Sequence, residues 1–474
     1  MDTLDKITQE VLPILILGVV IGLVVWRLPK VDVGHSKQFL HRRVLNWLPL
    51  GLTYAFLYMG RYNIVSLKDP PVNLITGKEF GDIDAVGSIV YGLAFLLNGP
   101  LTDRWGGRIT IMIAAGGAAL CNVAMGIVIS SGGHPSVAAL MVLFAANMYF
   151  QSFGAVAIVK VNASWFHLRE RGTFGGIFGI LISLGLYLAF DWAPKIASLT
   201  APEWLFLAPA LILVVFLGLS YLFVRDTPAD AGLGNFDVAD ASSGDEGPPD
   251  RAVVIIKKMI TNKVILVIAF ISLCSGFLRQ GILKWYRTFA DGVHVAGTFV
   301  NSHWGMMSCI AGMLGGMLAG IISDQLFHSR RPPVSTLLYG VMLAGTGAIL
   351  WLLGTDPAAI SWVIMIMAMA IIGVHGMLSG VASQDFGGRR NAGTATGLID
   401  GFVYFGTALQ AFVYGHLLPE NKIVVGDHLE PNPASLDISN WYAWPIAMIP
   451  MAVIGFLLSI SVWNARVSAK PPAH

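Results

Sequence analysis

Charge is scarce in this chain: Asp, Glu, Lys and Arg make up 12% of its 474 residues, against roughly a quarter in soluble proteins. A soluble globular enzyme is thereby excluded. An excess of one sign is missing as well, with 30 Lys and Arg against 28 Asp and Glu, so nucleic acid is not expected as a partner. Cysteine is limited to Cys121, Cys274 and Cys309, all in apolar runs and without ligand spacing, which supports neither a disulfide framework nor a structural zinc site. An HExxH pair, a phosphate-binding Gly-x-x-x-x-Gly-Lys loop and a nucleophile elbow are also missing. No motif therefore stands behind hydrolysis or ATP use, and no cofactor is expected.

What is present is apolar: 55% of the residues are hydrophobic, in runs of about 20 that each suffice to cross a hydrocarbon core of roughly 30 Å as a helix. The runs predict an all-α polytopic protein in a lipid bilayer, with spans near 12–27, 44–67, 84–102, 109–130, 136–163, 173–193, 203–224, 263–285, 301–323, 334–354, 358–383, 392–416 and 441–463. That makes thirteen, or twelve plus one at the N-terminus. The acidic and then basic stretch 225–262 reads as a cytoplasmic linker. The expected organisation is an anchor helix with its connector over 1–43, a six-helix half over 44–224, the linker, and a second six-helix half with a short tail over 263–474. The first span lacks a small-residue cleavage site and reads as a retained anchor. Arg27, Lys30, Lys37, Arg42 and Arg43 follow it, and later basic residues gather on alternate connectors. The positive-inside rule then puts the N-terminus outside and the C-terminus in the cytoplasm.

Gly99-Pro-Leu-Thr-Asp103-Arg104-Trp-Gly106-Gly107-Arg108 closes the second span of the first half, and Gly320-Ile-Ile-Ser-Asp324-Gln325 closes the second span of the other. Glycine permits close helix approach, and Asp103, Arg104 and Asp324 can cap and cross-link helix ends where a carrier gates. Two copies in register argue for a duplicated six-plus-six carrier. At this point the chain resembles the major facilitator superfamily, whose signature is Gly-x-x-x-Asp-Arg-x-Gly. More narrowly it resembles the organophosphate:phosphate antiporters, from about Val44 to Trp463. The resemblance rests on Tyr58-Met-Gly-Arg61-Tyr-Asn63, Phe150-Gln151, Trp165 through Glu170-Arg171-Gly172, and Arg225-Asp226-Thr227-Pro228. In the second half it rests on Arg279-Gln-Gly281-Ile-Leu-Lys-Trp285 and on Ala392-Gly393-Thr394-Ala-Thr-Gly397 through Tyr404.

The resemblance implies a carrier in the inner membrane that exchanges a small phosphorylated metabolite for inorganic phosphate by alternating access. Some members of that family instead bind a sugar phosphate and signal, and the extra N-terminal helix could dock the membrane partner this needs. A third reading is proton-coupled transport of another organic anion, with Asp400 carrying the proton.

Three basic residues, Arg61, Lys160 and Arg279, fall inside spans. A charge in mid-span costs at least ~2.5 kcal/mol on insertion scales, so it faces a cavity or a partner. Arg61 and Arg279 lie at matched depth on the first helix of each half, and glutamate is absent from the span interiors. Two guanidiniums across a midplane cavity make a dianion site, because each planar fork holds two oxygens. By resemblance they match the paired arginines that hold the substrate phosphate, and Tyr54, Tyr58, Tyr91 and Tyr404 match tyrosines around it. Ile182 and Phe95 stand about where glycerol-phosphate carriers have a histidine and a lysine. Tyr62 and Lys284 replace a lysine and an aspartate that pair near the outer gate, so glycerol 3-phosphate is not inherited as the substrate. Lys160 and Asp400 read as lying at similar depth, and the resemblance, whose family brings those two helices together across the cytoplasmic half, implies an inner gate between them; alternatively Asp400 is satisfied within its own half and Lys160 snorkels to lipid phosphates. His375, isolated in an apolar span, reads as a packed residue.

Overall fold

The computed structural model describes residues 34–167, 170–238, 261–295, 297–327, 331–378, 383–425 and 428–464, together with a few single positions before and between these stretches. Much of the 12–27 span and of the 225–262 linker lies outside the described residues.

Among the described residues, twelve long helices form the body. The first six are α1 (Lys37–Tyr62), α2 (Gly77–Trp105), α3 (Gly107–Ser130), α4 (Val137–Trp165), α5 (Arg171–Tyr187) and α6 (Trp204–Phe223). The second six are α7 (Lys263–Leu283), α8 (Trp304–Ile321), α9 (Arg331–Leu353), α10 (Ile360–His375), α11 (Ser383–Leu417) and α12 (Ala443–Ser461). A π-helical turn, Leu188–Trp192, carries α5 on into Ala193–Leu199. Ten helical segments among the described residues are long and apolar enough to cross a membrane. The two long helices that miss this test are α1 and α11. Both contribute to the polar centre described below. A feature that hydropathy does not signal is a small antiparallel hairpin between α11 and α12, β1 (Lys422–Val425) against β2 (His428–Pro431), with Lys422 opposite Pro431.

Local chemistry sets the helix ends. Thr76 and Glu79 form a reciprocal capping box that opens α2: the Glu79 amide donates to Thr76 Oγ1 at 3.2 Å and the Thr76 amide to Glu79 Oε2 at 2.8 Å. At the other end Gly106 takes φ +89°, a conformation that L side chains rarely adopt, and the chain turns straight into α3. Asp226 accepts from the Arg108 amide at 2.9 Å. The Arg-Asp-Thr-Pro motif thus supplies the acceptor at a helix N-terminus where the donors have no partner of their own.

The two sets of six helices meet along two seams, α2 with α11 and α5 with α8. Small residues allow this, as expected where lipid removes the hydrophobic drive between helices and close packing must replace it. A Cβ on Gly81 would lie 2.7 Å from Gly415 Cα, and one on Gly92 would lie 3.0 Å from Gly401 O. Nothing lies within 4 Å of a Cβ on Gly316. We expect Gly81→Ala to lower the melting temperature of the purified protein, because rigid backbone must shift. Gly316→Ala should leave it unchanged or raise it. Equal melting temperatures for the two variants would show that the seam is not tightly packed.

Candidate functional site

Arg61, at the end of α1, and Arg279, near the end of α7, are 3% and 4% exposed. Neither guanidinium forms an ion pair among the described residues. Arg61 Nε donates to Gln151 Oε1 at 2.8 Å, and its Nη1 to the Tyr404 hydroxyl at 2.6 Å. Its face lies over the rings of Tyr91 and Tyr58, 4.5 and 4.7 Å from their centroids. Tyr91 and Tyr404 pack at 4.0 Å, and Tyr54 meets Tyr58 edge-on at 5.1 Å. Arg61, the four tyrosines of the sequence reading and Gln151 therefore form one cluster drawn from α1, α2, α4 and α11. Among the described residues, Arg61 Nη2 and Arg279 Nε and Nη2 are buried N–H groups without a hydrogen-bond partner. Leaving a charged donor unsatisfied in a protein interior is costly, and the arrangement suits an anion that takes several donors at once.

A chain of amides holds Arg61 in place. Gln151 Nε2 donates to Asn147 Oδ1 at 3.1 Å, Asn122 Nδ2 to Asn147 Oδ1 at 3.3 Å, and Asn63 Nδ2 to Asn122 Oδ1 at 2.9 Å. Asn122 and Asn147 both also donate to the Gly60 carbonyl at 3.1 Å. Neutral amides orient the guanidinium without cancelling its charge. Of these residues only Gln151 and Asn63 belong to motifs singled out in the sequence; Asn122 and Asn147 pass as ordinary polar residues in apolar runs.

Charged groups lock the halves together at the end of α2 where it starts. Lys284 Nζ donates to both oxygens of Asp84 at 2.7 Å, 200 positions apart in sequence. Asp84 is fully buried. Lys68 Nζ meets Asp69 at 2.9 and 3.0 Å, the Lys284 carbonyl at 2.9 Å and Thr288 Oγ1, which in turn donates to Asp69 Oδ1 at 2.9 Å. On the other seam, Asp191 accepts the Gly305 and Met306 amides at 2.8 and 2.9 Å. At the opposite end of α2, Lys160 Nζ donates to Asp103 Oδ1 at 2.9 Å, and Asp103 Oδ2 accepts the Thr394 amide and hydroxyl at 3.0 and 2.9 Å.

The model of the Major Facilitator Superfamily matches residues 50–411. The chain belongs to this superfamily. It is similar, at 27% identity over 93% of its length and 96% of the relative's, to the glycerol-3-phosphate transporter of Bacillus subtilis (strain 168). It is 25% identical to the membrane sensor protein UhpC of Escherichia coli (strain K12), over 92% of this chain and 95% of that one. It is 22% identical to a probable hexose phosphate transport protein of Chlamydia trachomatis serovar D, over 91% and 93%. Among solved structures, an inward-facing bacterial homologue of the human lysosomal transporter Spinster superposes with a TM-score of 0.64. That match covers 93% of this chain and 100% of the other at 14% identity, a likeness of fold alone.

Within this facilitator the inner pair differs from the sequence reading. Among the described residues the carboxylate that Lys160 meets is Asp103, on a helix of the same half, and not Asp400. Counting residues gives depth along a helix but not which face a side chain takes. The depth assignment was also off, since Asp400 lies six residues, or ~9 Å, further along α11 than the Thr394 that touches Asp103. Asp400 is buried further along α11. Arg104 sits in the last turn of α2. Asp324 lies in a π-helical turn, Ile322–Leu326, and its side chain is outside the described residues. His375 is the last residue of α10.

Breaking a buried ion pair from one side strands a charge, at a cost of about 3–5 kcal/mol, whereas replacing both partners by apolar residues is often neutral. Asp84→Leu should therefore destabilise the purified protein strongly, and Asp84→Leu with Lys284→Met should regain most of the loss. Thermal unfolding in detergent measures this; equal losses for the single and double variants would show that the pair contributes little.

Proposed function

We propose that this facilitator exchanges a small organophosphate for inorganic phosphate by alternating access, as a multi-pass protein of the inner membrane. In this reading the phosphoryl group lies between Arg61 and Arg279, and the aromatic cluster of Tyr54, Tyr58, Tyr91 and Tyr404 packs against the organic portion. The observation that carries it is the pair of buried guanidiniums, one from each half, with N–H groups still to be satisfied and no ion pair. Phosphate presents planar edges of oxygens that match a guanidinium fork. The named activities of the Bacillus and Chlamydia relatives support the same substrate class. Residues 225–262 join the two halves in the cytoplasm, and both termini take the orientation read from the basic connectors.

Two like charges facing one another across an empty site repel, and a bridging dianion removes that repulsion. The halves then rock more readily when loaded than when empty, which favours exchange over uniport. The ion pairs at the two ends of α2 serve as gates: Lys284–Asp84 with Lys68–Asp69–Thr288 on the outer side, and Lys160–Asp103–Thr394 on the inner side. The gates open in turn.

The test is counterflow. Liposomes loaded with phosphate and containing the purified protein should accumulate labelled phosphate or a phosphate ester without a pH gradient. Arg61→Lys and Arg279→Lys should each lower exchange by about 100-fold or more while leaving the protein folded, since lysine keeps the charge and loses the two-pronged contact. Gln151→Glu should weaken phosphate binding as well, by giving Arg61 an internal counterion. Near-normal exchange by any of these would remove that residue from the site. The likeness to UhpC supports a second reading, a sugar-phosphate sensor with a membrane partner at the N-terminal helix, and binding without flux would favour it.

A further inference from the structure

α8 begins without a cap of its own. Its N-cap position is His303, whose side chain makes no bond to the helix it precedes; the ring turns back to the Phe299 carbonyl at 3.1 Å. The opening amides of a helix have no acceptor within it, and a Ser, Thr, Asp or Asn at this position ordinarily supplies one. Here the acceptor comes from the other half. Asp191 Oδ1 takes the Gly305 amide at 2.8 Å and Oδ2 the Met306 amide at 2.9 Å. Gly305 leaves the room this needs, since a Cβ there would lie 2.6 Å from Asp191 Cγ. Asp191 stands in the π-helical turn Leu188–Trp192 that follows α5, and in the same turn the Phe190 carbonyl accepts from Arg287 Nη1 of the second half at 3.2 Å. The other seam repeats the arrangement. Glu420, just past the end of α11, accepts the Lys78 amide in the first turn of α2 at 3.2 Å, an amide that the Thr76–Glu79 capping box does not serve. α5 and α11 are the fifth helices of their halves and α2 and α8 the second, so each fifth helix delivers a carboxylate to the second helix opposite.

We propose that Asp191 is a gating residue of the exchange cycle: its carboxylate caps α8 across the seam while that end of the carrier is closed and lets go when the end opens, with Glu420 as its weaker counterpart on α2. A carboxylate at a helix N-terminus meets both the unfilled amides and the positive end of the helix dipole, and hydrogen bonds to a charged acceptor are the strong ones. The latch also differs from the ion pairs in what opening leaves behind. Parting Lys284 from Asp84 separates two opposite charges, whereas parting Asp191 from α8 leaves one charge and two amides, each of which entering water can serve. A contact of this kind closes firmly and reopens at small cost, which suits a gate that must cycle. The inference rests on the alternating-access reading above.

The chain carries its own reporter. Cys309 is fully buried and lies between Gly305 and Gly312 on the stripe of α8 that faces α5; a Cβ on Gly312 would strike Ser183 of α5. The experiment uses full-length purified protein carrying Cys121→Ala and Cys274→Ala, and measures without substrate the rate at which a water-soluble maleimide labels Cys309. Asp191→Asn removes the charge and one acceptor. Gly305→Ala attacks the same contact from the other half, by filling the space that the carboxylate occupies. Both should label about tenfold faster or more than their parent, as for the loss of a charge-assisted hydrogen bond that holds the closed state. Gly316→Ala, which meets nothing within 4 Å, should label at the parent's rate. Unchanged labelling in Asp191→Asn overturns the proposal. Equal acceleration at Cys121, kept in place of Cys309 on α3, which packs mainly on α4 and α6, also overturns it, by showing a general loosening and not an opened seam. If the wild-type protein neither exchanges nor binds phosphate, the transport reading fails, and the labelling comparison, made without substrate, still decides whether Asp191 holds this end shut.

Discussion

A guanidinium held in a membrane interior by neutral partners is the constraint on which the rest of this structure turns. Arg61 is buried against Gln151, Tyr404 and the faces of two tyrosines, none of which cancels its charge. Arg279 lies buried at the matching place in the other half with two nitrogens unsatisfied. Their burial cost must be offset elsewhere. Part of the compensation is electrostatic and diffuse, from the quadrupoles of the rings that Arg61 lies over. Part is mechanical, from the Asn63–Asn122–Asn147–Gln151 chain, which spans α1, α3 and α4 and fixes the guanidinium plane. The centre of the protein is thus organised around positive charge that the scaffold orients and does not neutralise.

The seams around that centre have the opposite character. Along α2 and α11 the backbones come so close that glycine is required at Gly81, Gly92 and Gly415, and the ends of the seam are fastened by paired charges. Lys284 meets Asp84 bidentately at one end, and Asp103 joins Lys160 to Thr394 at the other. Packing of this kind is bistable: contacts are made or lost as a set, because close-packed interfaces do not deform continuously. Charge is therefore paired where the halves touch and unpaired where a ligand would lie. That contrast, more than any single residue, separates the site from its frame.

Much of the fold was legible in the sequence because a bilayer leaves the chain few options. Apolar runs must be helices, and the twelve core spans were placed to within about two and a half helical turns of the observed ends, the largest miss being the start of α11. The displaced start of α2 had a consequence: with the span begun at 84, Asp84 read as a boundary residue, whereas the helix starts at Gly77 and buries it completely. The arginines stood out because an intramembrane charge is rare. Their partners did not, since Asn122 and Asn147 are unremarkable in an apolar run and only packing shows that they share the Gly60 carbonyl. The carboxylate beside Lys160 was missed for the same reason. Sequence position gives height along a helix to within a turn, and the choice of neighbour depends on rotation about the axis and on which helix lies alongside.

Rotation is also what separates the four tyrosines from the rest of the aromatic population. Aromatic residues make up 11% of the chain, and most of them pack or face lipid, as tyrosine and tryptophan ordinarily do. Tyr54, Tyr58 and Arg61 fall at spacings of four and three on α1, so one stripe of that helix carries them all toward the centre. Tyr62 lies on the adjoining flank and stacks on Tyr58 at 5.6 Å, while its hydroxyl accepts from Gln280 of the other half at 2.7 Å. Gln280 is the residue next to Arg279. A movement of α7 against α1 therefore cannot shift Arg279 without also straining the Gln280–Tyr62 contact, and Tyr62 passes that strain to the ring beneath Arg61. The aromatic stripe links the two guanidiniums through packing as well as through charge, and it gives the centre a physical route by which a change at one arginine is felt at the other.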